Sequence, residues 1–498
     1  MRALSLCLLL LALAQPISAQ EALRPGHPIE RTLASGDAHA YPLDLPAGQF
    51  VLGSADQQTV DVVVTLTGPD GERIQTFDNP ARGPEPFQFT TEASGVYTLT
   101  VTPFRDEEGR YTMRLDRTEP AATTPAGIVD QRFAVLDNDR SPGAVVAVLE
   151  RGEVTFARAY GMADLTHGVP FTVETPSNIA STSKQFTAFA VALLADQGEL
   201  SLDDDVRTVL PELPDFGETV TIRHLLTHTS GYREYLTALA MAGIDTRHDH
   251  IDREDVVGVV VRQRELQNSP GAEWNYNNTA YGLLALIVER VTESPFQDWM
   301  LANVFEPLGM DRTVVRTDPS EIVPGRAMGY VPSGGSWEEA TDLGGAMGDG
   351  FIYTTAGDLL RWMDTYRTAS LGGPDVRREM TTEAVLTNGD STGYGLGLFL
   401  RERRGLRAIE HGGADAAHRA GFVYFPEIES GVVVLTNSPT VPFSAQSVAE
   451  VFFADAFEAK ETSGEIEPTP EAAVLAAGGF AAFEPETFDA FAGRGVLR

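Results

Sequence analysis

Ile179-Ala180-Ser181-Thr182-Ser183-Lys184-Gln185-Phe186 is the stretch on which the reading of this chain turns. Lys184 is one of only two lysines among 498 residues, against 35 arginines. Arginine keeps its proton in any protein environment, whereas a buried lysine can lose it. With 23 serines and two lysines in the chain, chance alone yields about 0.1 Ser-x-x-Lys matches. Residues three apart share one face of a helix, so Ser181 and Lys184 are expected side by side if a helix opens near Ser181. The free N–H groups and positive end of that helix would favour an oxyanion beside Ser181 and hold down the proton affinity of Lys184. A serine hydroxyl is a weak nucleophile by itself, and a neutral amine or a phenolate within reach could take its proton.

Downstream of Lys184, the run from Phe186 to Ala195 is almost wholly apolar and stops at Gly198. That pattern predicts a helix buried on all sides with a glycine terminus. A second helix with a broad apolar face is expected from Thr279 to Val291. Upstream, Val145-Val146-Ala147-Val148-Leu149 and Val154-Thr155-Phe156-Ala157 flank Arg151-Gly152-Glu153, the signature of a hairpin. Strands return at Gly421-Phe422-Val423-Tyr424-Phe425 and Val432-Val433-Val434-Leu435. Strands, a helical middle and strands again imply an antiparallel sheet whose two ends meet, with a helical insertion.

Two further clusters carry chemistry. Tyr276-Asn277-Asn278 lies just before the second helix, where a tyrosine near a cation can move a proton and an amide can orient a carbonyl. In His411-Gly412-Gly413 the glycines let a strand approach a ligand closely and the histidine offers a proton donor. Each cluster is weak alone; their order along the chain gives them weight.

Together these motifs resemble the penicillin-recognising serine hydrolases, that is class C β-lactamases, D,D-peptidases, D-aminopeptidases and related esterases. The resemblance covers residues 126–457 and extends to His224-Leu225-Leu226-Thr227-His228-Thr229-Ser230-Gly231 and Tyr281-Gly282-Leu283-Leu284. It implies a three-layer α/β β-lactamase/transpeptidase-like fold, an antiparallel sheet flanked by helices with a helical subdomain, over residues 127–458. It also implies roles: Ser181 as the acylated nucleophile, Lys184 and Tyr276 sharing the acid and base work, Asn278, His411 and Gly413 binding substrate, and the backbone N–H groups of Ser181 and Ala414 forming an oxyanion hole. No cofactor or metal is implied, and the partner is a small-molecule or peptide substrate. Class C β-lactamases carry Lys-Thr-Gly where this chain has His411-Gly412-Gly413. A histidine is only partly charged at neutral pH, so its grip on a β-lactam carboxylate should be weaker. The substitution favours an amide or ester such as a D-amino-acid peptide or ester, with a carboxylesterase or a true β-lactamase as alternatives. A catalytically silent binder or sensor of cell-wall fragments is the competing class.

Residues 24–117 alternate in period two, as in Val62-x-Val64-x-Leu66, Phe87-x-Phe89, Tyr97-x-Leu99-x-Val101 and Tyr111-x-Met113-x-Leu115. With turn residues between the runs, an all-β sandwich is predicted ahead of the main domain. Its Gly95-Val96-Tyr97-Thr98-Leu99 strand is similar to one in bacterial pre-peptidase C-terminal domains, which implies an accessory module of exported hydrolases. Residues 118–126 read as a linker. Residues 459–498 read as a linker and a tail that resembles the opening of a truncated lipocalin-like domain.

Arg2, an apolar run over residues 4–14, Pro16 and Ser18-Ala19 read as a signal peptide ending near residue 19, hence a periplasmic or secreted protein. The one cysteine, Cys7, falls inside that segment, so the mature chain is expected to lack disulfides. A formal charge of −34 repels nucleic acid and anionic lipid. No later stretch reads as a membrane span. His248-Asp249-His250-Ile251-Asp252 imitates part of a zinc motif, but Arg253 stands where the last histidine is needed. There is no Gly-x-Ser-x-Gly, phosphate loop or dinucleotide fingerprint.

Overall fold

The computed structural model describes residues 22–78, 83–245, 249–440 and 444–458; the expected signal segment and C-terminal tail lie outside them. The chain divides into two compact units, one of residues up to 123 with the short segment 332–336, the other holding the remainder.

In the first unit two four-stranded antiparallel sheets form a sandwich. One sheet orders Ile29–Leu33, Gly109–Pro120, Gln49–Gln57 and Gly83–Thr90; the other orders His39–Leu45, Gly95–Pro103, Val62–Thr67 and Arg73–Phe77. The alternation sends every second residue inward. Val62, Val64, Leu66, Phe87, Leu99, Val101, Tyr111 and Met113 are all buried in one cluster.

At the centre of the second unit stands a six-stranded antiparallel sheet ordered Glu153–Tyr160, Ala144–Glu150, Ser430–Thr436, His418–Phe425, Leu406–Asp415 and Phe399–Arg403. The first hairpin closes through Arg151 and Gly152, both with positive φ, the turn whose twist suits antiparallel strands. The continuous apolar runs are explained by burial on both faces. Val145, Ala147, Leu149, Val433 and Leu435 pack into the cluster that holds helices Lys184–Asp196 and Ala356–Thr368. Their neighbours Ala144, Val146, Val148, Val432 and Val434 pack on helices Pro125–Phe133 and Ala445–Phe452. Helix, sheet and helix make three layers, and Ala144–Glu150 pairs with Ser430–Thr436, so the two ends of the sheet meet as expected. Between them lies a helical subdomain that includes Arg253–Val261, Asn278–Thr292 and Phe296–Met300. Among the described residues no helix is long and apolar enough to cross a membrane.

Phe186 anchors the helix that follows Ser181: it is fully buried, with its ring 4.4 Å from Trp362 and 5.9 Å from Phe305. Truncation to alanine should cost about 3–5 kcal/mol. Trp274, Trp299, Trp337 and Trp362, the four tryptophans of the chain, all belong to this unit. Tryptophan fluorescence in urea therefore reads the loss selectively, and Phe186→Leu should lose less.

Candidate active site

Strand Ser177–Asn178 pairs with Ile352–Thr354 and delivers the chain to a tight turn. Ala180 sits in the left-handed region at φ 46°, and its N–H donates to Asn178 Oδ1 at 2.8 Å. Ser181 was expected on the first turn of an α-helix. It lies instead in a 3₁₀ turn, Ala180–Ser183, and the α-helix begins at Lys184. Because side chains three apart eclipse in a 3₁₀ turn, the two residues still share a face. Lys184 Nζ is 3.0 Å from Ser181 Oγ.

Lys184 is wholly buried, while Ser181 is partly open to solvent. Nζ also donates to Asn278 Oδ1 and to the Asp349 carbonyl, each at 2.7 Å. Neither of these oxygens can give a proton back. Once the ammonium loses one hydrogen, the two that remain satisfy these acceptors and the lone pair faces Ser181, the one partner able to donate. Burial lowers the Lys184 pKa to about 8, against the opposing pull of Asp349, Glu234 and Asp415.

Asn277 caps helix Asn278–Thr292 by accepting from the Ala280 N–H at 2.9 Å, which sets Tyr276 just ahead of the helix and Asn278 in its first turn. Asn278 is almost fully buried, and Glu234 orients its amide by accepting from both the backbone N–H at 2.5 Å and Nδ2 at 3.2 Å. Half-buried Tyr276 lies nearly parallel to Phe399 and packs on His228, with Lys184 Nζ 5.0 Å from its ring centre. Burial raises the Tyr276 pKa well above the usual phenol range, a hydrogen bond with Ser181 opposing the shift. The group is therefore a phenol at neutral pH.

His411 is buried beside Tyr276, and burial, reinforced by Lys184, lowers its pKa to about 3. It is an uncharged ring, which sharpens the contrast with a lysine at this position. On one side of strand Leu406–Asp415 the pairing with Phe399–Arg403 ends at Glu410, so residues 411–415 have a strand neighbour only on the other side, where Gly413 faces Ala420 and Ala414 faces Arg419. Gly413 is required by close approach. A Cβ there would lie 2.1 Å from the Ile179 carbonyl oxygen and 3.0 Å from Thr182 Oγ1.

Several residues of this cluster were not singled out from the sequence: Asn178, Glu234, Asp349, Tyr394 and Asp415. Asn178 Nδ2 bridges two carboxylates, Asp342 at 2.9 Å and Asp415 at 2.8 Å, and burial together with Asp342 pushes Asp415 up to about 7. Asp349, also raised by burial, takes the Tyr235 hydroxyl at 3.0 Å. Glycines around Asp349 were the only local sign. Of the zinc-like segment, His248 lies outside the described residues, His250 binds the Leu343 carbonyl at 2.8 Å and Asp252 caps helix Arg253–Val261. Among the described residues no group of three metal-ligating side chains comes together.

A three-layer sheet and helix unit with Ser181, Lys184, Tyr276 and His411 converging on one cleft has the architecture of the β-lactamase/transpeptidase-like fold. The Beta-lactamase family model matches residues 128–452, and the chain belongs to this family of serine hydrolases. Penicillin-binding protein 4* of Bacillus subtilis (strain 168) is 29% identical over 322 residues, 61% of this chain and 70% of that protein. A D-aminopeptidase of Gluconobacter oxydans (strain 621H) is 29% identical over 301 residues, 59% of this chain. The chain spans little more than half, 56%, of that relative's length. The octameric penicillin-binding protein homologue from Pyrococcus abyssi superposes with a TM-score of 0.59 at 27% identity, covering 67% of this chain and 77% of its own.

The Gly413 packing yields a test. Gly413→Ala must displace backbone next to Ser181, and a displacement of about 1 Å costs about 10²-fold in rate. Gly412→Ala meets nothing nearer than the Ala420 carbonyl at 3.8 Å and should stay within a few-fold of wild type. The rate of covalent labelling by a fluorophosphonate compares the two.

Proposed function

We propose that the protein is an exported hydrolase that forms an acyl-enzyme on Ser181 and releases the acyl group to water, acting on an amide or ester of the D-amino-acid peptide or ester class. The observation that carries the reading is the buried amine of Lys184, 3.0 Å from Ser181 Oγ with its other two contacts filled by acceptors. In this reading neutral Lys184 takes the Ser181 proton as Oγ attacks the carbonyl carbon. The carbonyl oxygen gathers negative charge between the backbone N–H groups of Ser181 and Ala414. Collapse breaks the bond to the leaving group, which needs a proton if it is an amine. Tyr276, held as a phenol and hydrogen-bonded with Ser181, is placed to relay one from Lys184. Water then repeats the sequence on the ester of Ser181. Asn278 holds Lys184, and Gly413 lets the strand that carries His411 lie against the Ile179 carbonyl beside Ser181.

The D-amino-acid class is supported by the D-aminopeptidase relative and by the uncharged His411, which offers a β-lactam carboxylate no cation. Export rests on the apolar segment at residues 4–14. Side-by-side hydrolysis of a D-alanyl amide, a D-alanyl ester, a simple p-nitrophenyl ester and nitrocefin tests the substrate class. Fastest turnover of nitrocefin would overturn it.

Two outcomes are expected for the base. The lysine proton leaves as pH rises through about 8, so the labelling rate of Ser181 should climb with pH and level off above that value. Lys184→Arg cannot deprotonate and should lose about 10²–10⁴-fold, the usual worth of a general base. Labelling that survives in Ser181→Ala would place the nucleophile elsewhere.

A further inference from the structure

Behind the cleft, two histidines face one tyrosine hydroxyl. His228 Nε2 is 3.2 Å from Tyr394 Oη, and Tyr394 Oη is 3.3 Å from His411 Nε2. All three residues are buried. Backbone groups whose roles are not in doubt fix both ends. The Asn277 N–H, which can only donate, points to His228 Nδ1 at 3.0 Å. His228 therefore carries its proton on Nε2 and donates it to Tyr394. The Gly412 carbonyl, which can only accept, lies 2.6 Å from His411 Nδ1, so that nitrogen bears a proton. Tyr394 then donates to His411 Nε2. Tyr281 is the competing acceptor for that proton, but its own hydroxyl serves the Leu226 carbonyl at 2.8 Å, and diverting Tyr394 to it would strand a buried ring nitrogen without a donor. One direction alone satisfies every group: Asn277 N–H to His228, His228 to Tyr394, Tyr394 to His411, His411 to the Gly412 carbonyl.

We propose that His228 and Tyr394 are positioning residues that hold His411 as an uncharged imidazole with its proton on Nδ1, so that the cleft selects substrates bearing no carboxylate where they meet the strand edge at residues 411–413. Protonating His411 would aim two N–H groups at one tyrosine oxygen and force the phenol proton away from His411 onto Tyr281. The surrounding charges act in the same sense. Burial is the largest influence on the ring, and Lys184 and Arg401 add to it by repelling a second proton. Arg401 is itself engaged with Glu410 at 3.2 Å, a carboxylate that Arg403 shares at 2.6 Å. Tyr276 and Phe399, the other rings packed on His411, bring no charge. Around Lys184 the remaining ionisable groups are the carboxyls of Glu234, Asp349 and Asp415. The substrate half of this proposal rests on the acyl-transfer reading of Ser181; the proton arrangement does not.

The test uses the full chain labelled with ¹⁵N-histidine, the His411 signals being those lost in His411→Gln. In wild type, long-range ¹H–¹⁵N correlations should show the neutral Nδ1–H form of His411 unchanged from pH 5 to pH 9. In Tyr394→Phe, which keeps the ring and removes the hydroxyl, the tautomers should mix and the ring should titrate at higher pH. Kinetics on two D-alanyl esters that differ only in a terminal carboxylate or carboxamide should favour the carboxamide by about tenfold or more in kcat/KM, the scale of one missing charged hydrogen bond. That preference should shrink below pH 6 in Tyr394→Phe. A wild-type ring that titrates near 6.5, or carries its proton on Nε2, overturns the proposal even if Tyr394→Phe fails to fold. Equal kcat/KM for the two esters overturns the selection. If neither ester turns over and Ser181 resists labelling, the acyl-transfer reading falls and the selection with it, while the spectrum still decides the proton arrangement.

Discussion

Everything in the cleft depends on how one ammonium group is buried without a carboxylate in direct contact. Lys184 gives its hydrogens to a hydroxyl, an amide oxygen and a main-chain carbonyl, all of them neutral. Such a site solvates the charge only partly, and desolvation is the largest influence on its proton affinity. The carboxyls of Glu234, Asp349 and Asp415 act from farther out. A carboxylate moved into contact would hold the proton on the lysine, whereas the three farther acids offset only part of the effect of burial. The distance of these acids sets the balance.

That balance is built by backbone as much as by side chains. Asn178 holds the left-handed Ala180 ahead of Ser181 and reaches Asp415 on the strand that carries His411 and Gly413. The Ser181 turn and the strand of His411 are thus tied by one amide, with both of its polar atoms used. Glu234 performs the matching task on the other side, orienting Asn278 from the loop ahead of its own helix. Three chain segments distant in sequence meet at fixed distances because Asn178 and Glu234 hydrogen-bond across them.

Much of this was legible in the residues. Period-two alternation gave the sandwich its inward set, and the unbroken apolar strands of the second unit follow from burial on both faces. Ser181 and Lys184 stood out because lysine is so rare in this chain. Their geometry was less legible, since a 3₁₀ turn and an α-helix present the same three-residue spacing. Glu234, Asp349 and Asp415 are three among 71 acidic residues, and only the glycines on either side of Asp349 set one of them apart. Their importance comes from long-range packing. The His411 motif was visible, but its charge state depends on Tyr394 and on the carbonyl of its own neighbour, which only the folded chain brings into line.

The closure of the central sheet has a temporal side. Ala144–Glu150 needs Ser430–Thr436 as its neighbour, and the whole stretch 151–429 is made between them. Pairing at such separation is slow, because loop-closure entropy is spent before any contact rewards it. During synthesis strand Ala144–Glu150 of the early hairpin waits with both faces apolar and one edge unpaired, a state prone to wrong partners. Strand Leu406–Asp415, which contributes His411, also arrives late. The cleft is therefore among the last features to assemble, and a chain that stalls before residue 430 has Ser181 and Lys184 but no finished sheet to hold them.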